Sequence, residues 1–348
     1  MTTVADGIYQ YGGMPVTGGV PPFVSVNSKT FFVDPVNGSD GNPGTAPGRA
    51  FASLYRAHYM CTSGNNDVVY LIGTGAASGS CRLSLANALA AQGPTETPVT
   101  VGTLVWSKNA THLVGIGAPG QWARARIAAP TGTYTSATFG SPLFVTVSGN
   151  GCYFTNVSFY QTFSTGEDGE ICLNLTGDYN VFNNCLIAGM QSAEAAAGAA
   201  SRDIALTSAG DNLFVNCIIG TDTVTRSAAN SSVQLLSGSP RNKFVDCEFP
   251  MHTSSASATF GLVAAAAGCD RYTLFKRCLF LNAMDSASTA ITGAFLMAAN
   301  SGGCMVVNDS GLVGDGAANW GADATSLAQM YVDNVGGAAT AGLMLNPT

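Results

Sequence analysis

Of the eight acidic residues between positions 167 and 222, six are candidates for chemistry: Glu167, Asp168, Glu170, Glu194, Asp203 and Asp222. Two carboxyl groups about 5 to 9.5 Å apart are the minimum apparatus of glycoside hydrolysis, one protonating the leaving oxygen and the other acting as nucleophile or base. If the chain is an enzyme, Glu167, Asp168, Glu170, Glu194 and Asp203 are its candidate catalytic set. A polysaccharide lyase needs a Lys or Arg base beside an acidic cation site instead, and Arg202 and Arg226 are the basic residues near these acids. The rest of the stretch is mostly Ala, Ser, Gly and Thr, and Trp106, Trp122 and Trp320 all lie outside it, so aromatic platforms for sugar are scarce. Loop acids in an already acidic chain read first as solvation, and no catalytic residue is expected among them.

Other chemistries find less support. There is no Gly-x-Ser-x-Gly elbow, and the glycine-rich run Gly38 to Thr45 lacks the Lys of a phosphate loop. His58, His112 and His252 are far apart and no CxxC occurs, so neither a metal nor a cofactor is expected. His112, beside Leu113 and Val114, reads as a hydrogen-bonded strand residue. Asp34, Asn37, Asp40 and Asn42 have the composition of a calcium loop, but the same residues are ordinary turn formers, and that reading is preferred. Ten cysteines in a chain of 348 residues read as reduced, buried thiols.

Charge sets further limits. With 14 basic against 21 acidic residues and a net charge of −7, no basic stripe is available for a nucleic-acid partner. Apolar runs such as Phe260 to Ala267 fall short of the ~20 residues that cross a bilayer, so no membrane partner is expected. Met1 to Tyr11 contains Asp6 and no apolar run, unlike a secretory signal. Charged residues make up only 10% of the chain while Gly reaches 42, which argues against a surface of helices.

The acids must be positioned by an internal repeat. Phe154-Thr-Asn-Val-Ser-Phe159 recurs as Phe182 to Ile187, Phe214 to Ile219, Phe244 to Phe249, Phe275 to Phe280 and a degenerate Val307 to Leu312, at spacings of 28, 32, 30, 31 and 32 residues. A Gly/Asp/Asn turn precedes each copy. Before each turn comes a short apolar segment: Leu143 to Val147, Ile171 to Leu175, Ile204 to Thr207, Val233 to Leu236, Phe260 to Ala264 and Ala294 to Met297. Two or three strands per roughly 30 residues is one coil of an all-β parallel β-helix solenoid, of about nine or ten coils. Stacking then predicts an inward ladder of Cys185, Cys217, Cys247 and Cys278, acting as small apolar filler. It also predicts an outward column of Asn156, Asn184, Asn216, Asp246, Arg277 and Asp309, whose charged members form an ion-pair ladder.

Ahead of the repeat, residues 31 to 72 read as strand, Gly/Asp/Asn/Pro turn, short helix from Tyr55 to Cys61, tight turn and strand. Asp34, Gly38 to Asp40, Asn42, Gly44, Thr45, Phe51 and Asp67 to Val69 resemble the N-terminal cap of right-handed β-helix proteins of the pectate-lyase-like class. Gly48-Arg-Ala before Phe51, Ser53 in place of Thr and Asn66 in place of Gly depart mildly from that pattern. The resemblance implies a 31–72 cap followed by coils over 73–348. Within the coils, Ala76 to Gly93 is expected to hold a short helix, and Met330 to Leu345 two more short strands.

Residues 1–30 have no period of 2 or 3.6 and are dense in Gly and Pro. They are expected to form an extended anchoring arm, with Tyr9, Tyr11, Met14, Pro15 and Phe23 packing on a partner or sister subunit. An arm followed by a β-helix cap resembles proteins of tailed-bacteriophage virions, head decorations or tail appendages. That resemblance implies a homotrimeric virion protein assembled in the bacterial cytoplasm, with capsid or tail proteins as partners. The alternative it carries is a tailspike or tail fibre that binds or hydrolyses host glycan.

Overall fold

A computed structural model describes residues 27–74, 77–91, 100–117, 125–130, 135–163, 169–254, 260–283, 288–314 and 320–332, with the strand pairs 10–11 and 14–15. Of the expected arm, Tyr9 and Phe23 lie outside the described residues. Gln10–Tyr11 pairs antiparallel with Met14–Pro15, a small hairpin where the sequence suggested no regular pairing.

The described residues form a parallel β-solenoid of three sheets with ten, eight and seven strands. One coil shows the plan: Leu143–Val147 joins the seven-stranded sheet, Tyr153–Thr155 the ten-stranded and Val157–Tyr160 the eight-stranded. The next coil repeats it with Ile171–Leu175, Val181–Asn183 and Leu186–Ala188. Strands in each sheet pair with the equivalent strand one coil away, which is what a 28–32-residue repeat demands. All six apolar segments before the turns are strands, the third and fourth starting two residues earlier than expected, at Arg202 and Ser231.

The repeat phenylalanine occupies one inward column of the ten-stranded sheet. Phe154, Phe182, Phe214, Phe244 and Phe275 are direct register partners. Their ring centroids are 4.8, 4.8, 4.7 and 4.8 Å apart, with planes within 8° of parallel. Strand spacing and ring stacking coincide, so hydrogen bonding of the backbone and packing of the core reinforce each other. Each stacked pair adds about 0.5–1.5 kcal/mol beyond the area it buries.

Two corners that recur along the described coils use Asn or Asp at most of their positions, for different reasons. Between the ten- and eight-stranded sheets the chain turns on one residue: Asn156, Asn184, Asn216, Asp246, Arg277 or Asp309, all with φ between 49° and 56°. Asn and Asp tolerate this left-handed conformation; Arg277 does not, at a cost of roughly 1–2 kcal/mol. Arg277 is held there by Asp246 one coil earlier, through Nε–Oδ1 and Nη2–Oδ2 contacts of 2.6 and 2.7 Å. At the other corner Asn180, Asn212 and Asn242 point inward and are fully buried. Each side-chain oxygen accepts the backbone N–H of the coil before: Cys152 N to Asn180 Oδ1 and Asn180 N to Asn212 Oδ1, both 2.8 Å, and Asn212 N to Asn242 Oδ1, 3.0 Å.

At the N-terminal end the helix Leu54–Met60 closes the core, its Ser53 hydroxyl accepting Arg56 N–H. The expected Tyr55 to Cys61 helix thus lies one residue earlier. Leu85–Ala90 is the helix expected within Ala76 to Gly93. Met330–Val332 is the last described strand, and residues 333–348 lie outside the described set.

Two buried histidines make the fold sensitive to acid. His58 packs against Trp106 with ring centroids 4.8 Å apart and planes tilted by 47°, and its Nε2 accepts Ser107 N–H at 3.2 Å. His112 Nδ1 accepts Tyr153 N–H at 3.1 Å, so its Nε2, 3.3 Å from Asn66 Oδ1, carries the proton. Burial, aided by Lys108, pushes His58 down to about 3, and burial pushes His112 down to about 4.

Two outcomes follow. Phe214→Ala is expected to cost about 3–5 kcal/mol in urea unfolding; a loss below about 1 kcal/mol would contradict the stacked core. The unfolded chain binds protons at both histidines below its ordinary value of 6.5 while the folded chain does not. Stability is therefore lost as pH falls from 6.5 toward 4, by about 2 kcal/mol per histidine at pH 5. Unfolding midpoints at pH 7 and 5 measure this, and the double variant His58→Gln, His112→Gln is expected to flatten the difference.

Candidate functional site

Catalytic carboxylates on a solenoid must reach solvent from adjacent coils, and the loops entering the seven-stranded sheet are where the candidate acids lie. Glu167 and Asp168 fall outside the described residues. Glu170 sits just before Ile171–Leu175 and is 1% exposed, with Oε2 accepting Gln161 Nε2–H at 3.0 Å. Asp203 is fully buried in the strand Arg202–Thr207. The reading of these acids as solvated loop residues is therefore corrected for Glu170 and Asp203, which are enclosed. Glu194 is exposed in the first turn of the short helix Ala193–Ala197, and Asp222 is exposed after the buried Thr221.

Asp203 is an internal anchor. Its Oδ1 accepts Gly189 N–H at 2.7 Å, and its Oδ2 is 3.2 Å from Nη2 of Arg226, also fully buried. Arg226 Nη2 reaches Ser232 Oγ at 2.9 Å. Burial pushes the Asp203 carboxyl up while Arg226 opposes it, and burial pulls Arg226 down. Arg202 donates to Ala199 O and Ser201 O, and burial lowers it to about 10. Two glycines leave room for this pair. A Cβ on Gly189 would lie 2.6 Å from Arg202 O, and one on Gly220, where φ is 112°, would lie 2.6 Å from Pro250 O and 3.0 Å from Arg226 Nη2. The sequence reading named the acids and arginines and missed these glycines, the available signal that something bulky is enclosed.

The outward column of the seven-stranded sheet follows from its register: Val105, Thr146, Asn174, Ala205, Gln234, Val263 and Leu296. It contains no ionisable side chain. Asn174 Nδ2 lies 3.4 Å from Thr146 Oγ1. This column can hydrogen-bond and pack, but it cannot move a proton at neutral pH.

The thiol ladder is equally quiet. Cys185, Cys217, Cys247 and Cys278 are buried, and their sulfurs lie 3.4–3.6 Å from the carbonyls of Phe154, Phe182, Phe214 and Phe244. Burial raises Cys217 and Cys247 far above the ordinary thiol, whereas a hydrogen bond with Cys247 pulls Cys278 down. In the cap, Asp40 Oδ1 accepts Ala52 and Ser53 N–H and Oδ2 accepts the Ser53 hydroxyl; Asp34 Oδ1 accepts Val36 and Asn37 N–H. These carboxylates hold the turn. Among the described residues no group of three or more His, Cys, Asp or Glu could hold a metal ion. On the outer corner Asp246 and Arg277 form their ion pair, and a second joins Asp211 to Arg241 across one coil.

No protein-family model and no curated protein matches the sequence. Solved structures do match in shape. The chain superposes on pectate lyase Pel9A with a TM-score of 0.53 at 16% identity, over 81% of this chain and 62% of the lyase. It superposes on a pectin methylesterase in complex with a hexasaccharide with a TM-score of 0.51 at 15% identity, over 85% of this chain and 81% of the esterase. The chain spans less than two thirds of the lyase's length. At these identities the likeness is one of fold: a right-handed parallel β-helix of the pectate-lyase-like kind. Function then rests on the residues, and Asp203 offers a direct test. Asp203→Ala is expected to destabilise by about 3–5 kcal/mol because Arg226 is left buried without its partner, while Asp203→Leu with Arg226→Met restores most of that loss. Urea unfolding reads both, and a loss below about 1 kcal/mol would contradict the buried pair.

Proposed function

We propose that the chain is a non-catalytic structural protein of a tailed-bacteriophage virion, a capsid-decoration subunit attached by residues 1–30 and assembled as a homotrimer. One observation carries the non-catalytic part. Glu170 and Asp203 are buried, Asp203 against Arg226, while the outward column from Val105 through Asn174 and Gln234 to Leu296 has no ionisable side chain. The particle assignment is supported by the sequence resemblance of an arm followed by a β-helix cap. It is also supported by coils whose side chains are small and uncharged enough to pack against flat neighbours.

A second reading, a tailspike or tail fibre that binds host glycan, is favoured by Thr146, Asn174 and Gln234 in one outward column. The esterase with the same fold was solved with a hexasaccharide. Removal of residues 1–27 is expected to leave a folded β-helix that no longer joins particles; retained incorporation would overturn the anchoring arm. The intact protein is expected to release no reducing ends from host capsule or lipopolysaccharide. Release that disappears in the double variant Glu170→Gln, Asp203→Asn would overturn the non-catalytic reading.

A further inference from the structure

On the first strands of the ten-stranded sheet, Phe31, Val33, Val69, Leu71 and Leu113 point into the core, so Phe32, Val68, Tyr70, His112 and Val114 point outward. Phe32, Val68, Tyr70 and Val114 form a hydrophobic cluster of their own on that outer face, with the rings of Phe32 and Tyr70 stacked at 5.4 Å. Burial there follows two gradients. Along the strands the outward residues go from closed to open: Val68 and His112 are 0% and 1% exposed, Tyr70 and Val114 4% and 8%, and Ile116 43%. Across the sheet the same two columns open as well, because Val181, Asn183, Leu213 and Val215 are half-buried. Strands within a sheet have equivalent neighbours, so the difference comes from a cover lying on the first strands, at the end where they begin.

The chain itself enters at that end. Asn27 leads into the edge strand Thr30–Val33, its carbonyl accepting Asn65 Nδ2–H at 2.8 Å, and Lys29 N–H reaches Asp67 Oδ1 at 2.7 Å. Just before it the sequence runs Val20-Pro-Pro-Phe-Val24. We propose that residues 19–26 fold back from Asn27 and dock on this outer face of their own subunit through Val20, Pro21, Pro22 and Phe23. A segment of that length spans about 25 Å at ~3.1 Å per residue, ample for the ~10 Å across three strands.

The chemistry of face and segment agree. A Pro-Pro run favours the polyproline II helix, whose preformed backbone docks on aromatic surface at low entropic cost, and Phe32 and Tyr70 supply that surface. The Tyr70 hydroxyl is enclosed there with no hydrogen-bond partner among the described residues. The carbonyls of Val20, Pro21 and Pro22 are acceptors for it, and the two prolines bring no N–H that docking would leave unpaired. Phe23, expected from the sequence to pack on a partner, is thereby assigned to its own subunit, and residues 1–18 are left to reach a neighbour. The docking fixes the direction in which the arm leaves the β-helix and holds whatever that neighbour is.

A reporter thiol on the purified full chain tests this. After subtraction of the parent's own thiols, Val68→Cys is expected to react with a maleimide at least about tenfold more slowly than Val215→Cys, which lies on the same outer face beyond the cover. The triple replacement Pro21→Ser, Pro22→Ser, Phe23→Ser is expected to bring the Val68→Cys rate up to that of Val215→Cys and to leave the latter unchanged. Dilution of the protein is expected to have no effect, since the cover belongs to the same chain. The proposal is overturned if Val68→Cys stays slow in the triple replacement, or if its rate rises on dilution, which would give the cover to a sister subunit. In the unaltered chain chymotrypsin is expected to leave the Phe23–Val24 bond whole, and cleavage there in the folded protein would also overturn it.

Discussion

Every coil must put its strands one strand spacing from the coil before, and this constraint governs the rest of the molecule. The phenylalanine column meets it with rings 4.7–4.8 Å apart, a separation at which strand pairing and aromatic contact are both satisfied. Asn180, Asn212 and Asn242 meet it at a corner, each closing the backbone of the preceding coil. The thiol ladder meets it where only a small side chain fits. Because equivalent positions recur in columns, one side chain out of character strains its neighbours on both sides. Variation in coil length is absorbed instead by the loops entering the seven-stranded sheet.

Those loops are where chemistry would be expected, and the constraint acts on them too. Asp203 and Arg226 come from neighbouring coils and are drawn under the loops with Gly189 and Gly220 making room. A carboxylate used in this way ties one coil to the next and is not available to a substrate. The exposed acids Glu194 and Asp222 have surroundings of Ala, Ser and Thr. Low charge density, glycine-rich corners and the uncharged outward column of the seven-stranded sheet are thus consequences of one architecture.

Much of this was legible because the repeat is periodic. The aromatic motif located the ten-stranded sheet, the apolar segments before the turns located the seven-stranded sheet, and the motif's third position located the one-residue corner. What periodicity cannot reveal is where a polar turn residue points. Asn180, Asn212 and Asn242 look like Asp178 and Asp211 in a turn, yet only the asparagines turn inward to serve the backbone of the coil before. Burial of Glu170 and Asp203 was illegible for a related reason, since it depends on how loops of unequal length fold over a sheet edge. The closed outer face at Val68 and Tyr70 was illegible too, since no local pattern tells an outward residue under cover from one in the open.

We propose that the recurring columns of the solenoid serve assembly and that its buried acids are structural. Cryo-electron microscopy of purified particles containing this protein tests that most directly. The predicted result is the β-helix in fixed three-fold groups on the particle, with residues 1–18 seated on a neighbouring subunit and the loops around Asp203 closed. Particles that lack the chain, or a β-helix whose loops open on a glycan cleaved beside Glu170 and Asp203, would contradict it.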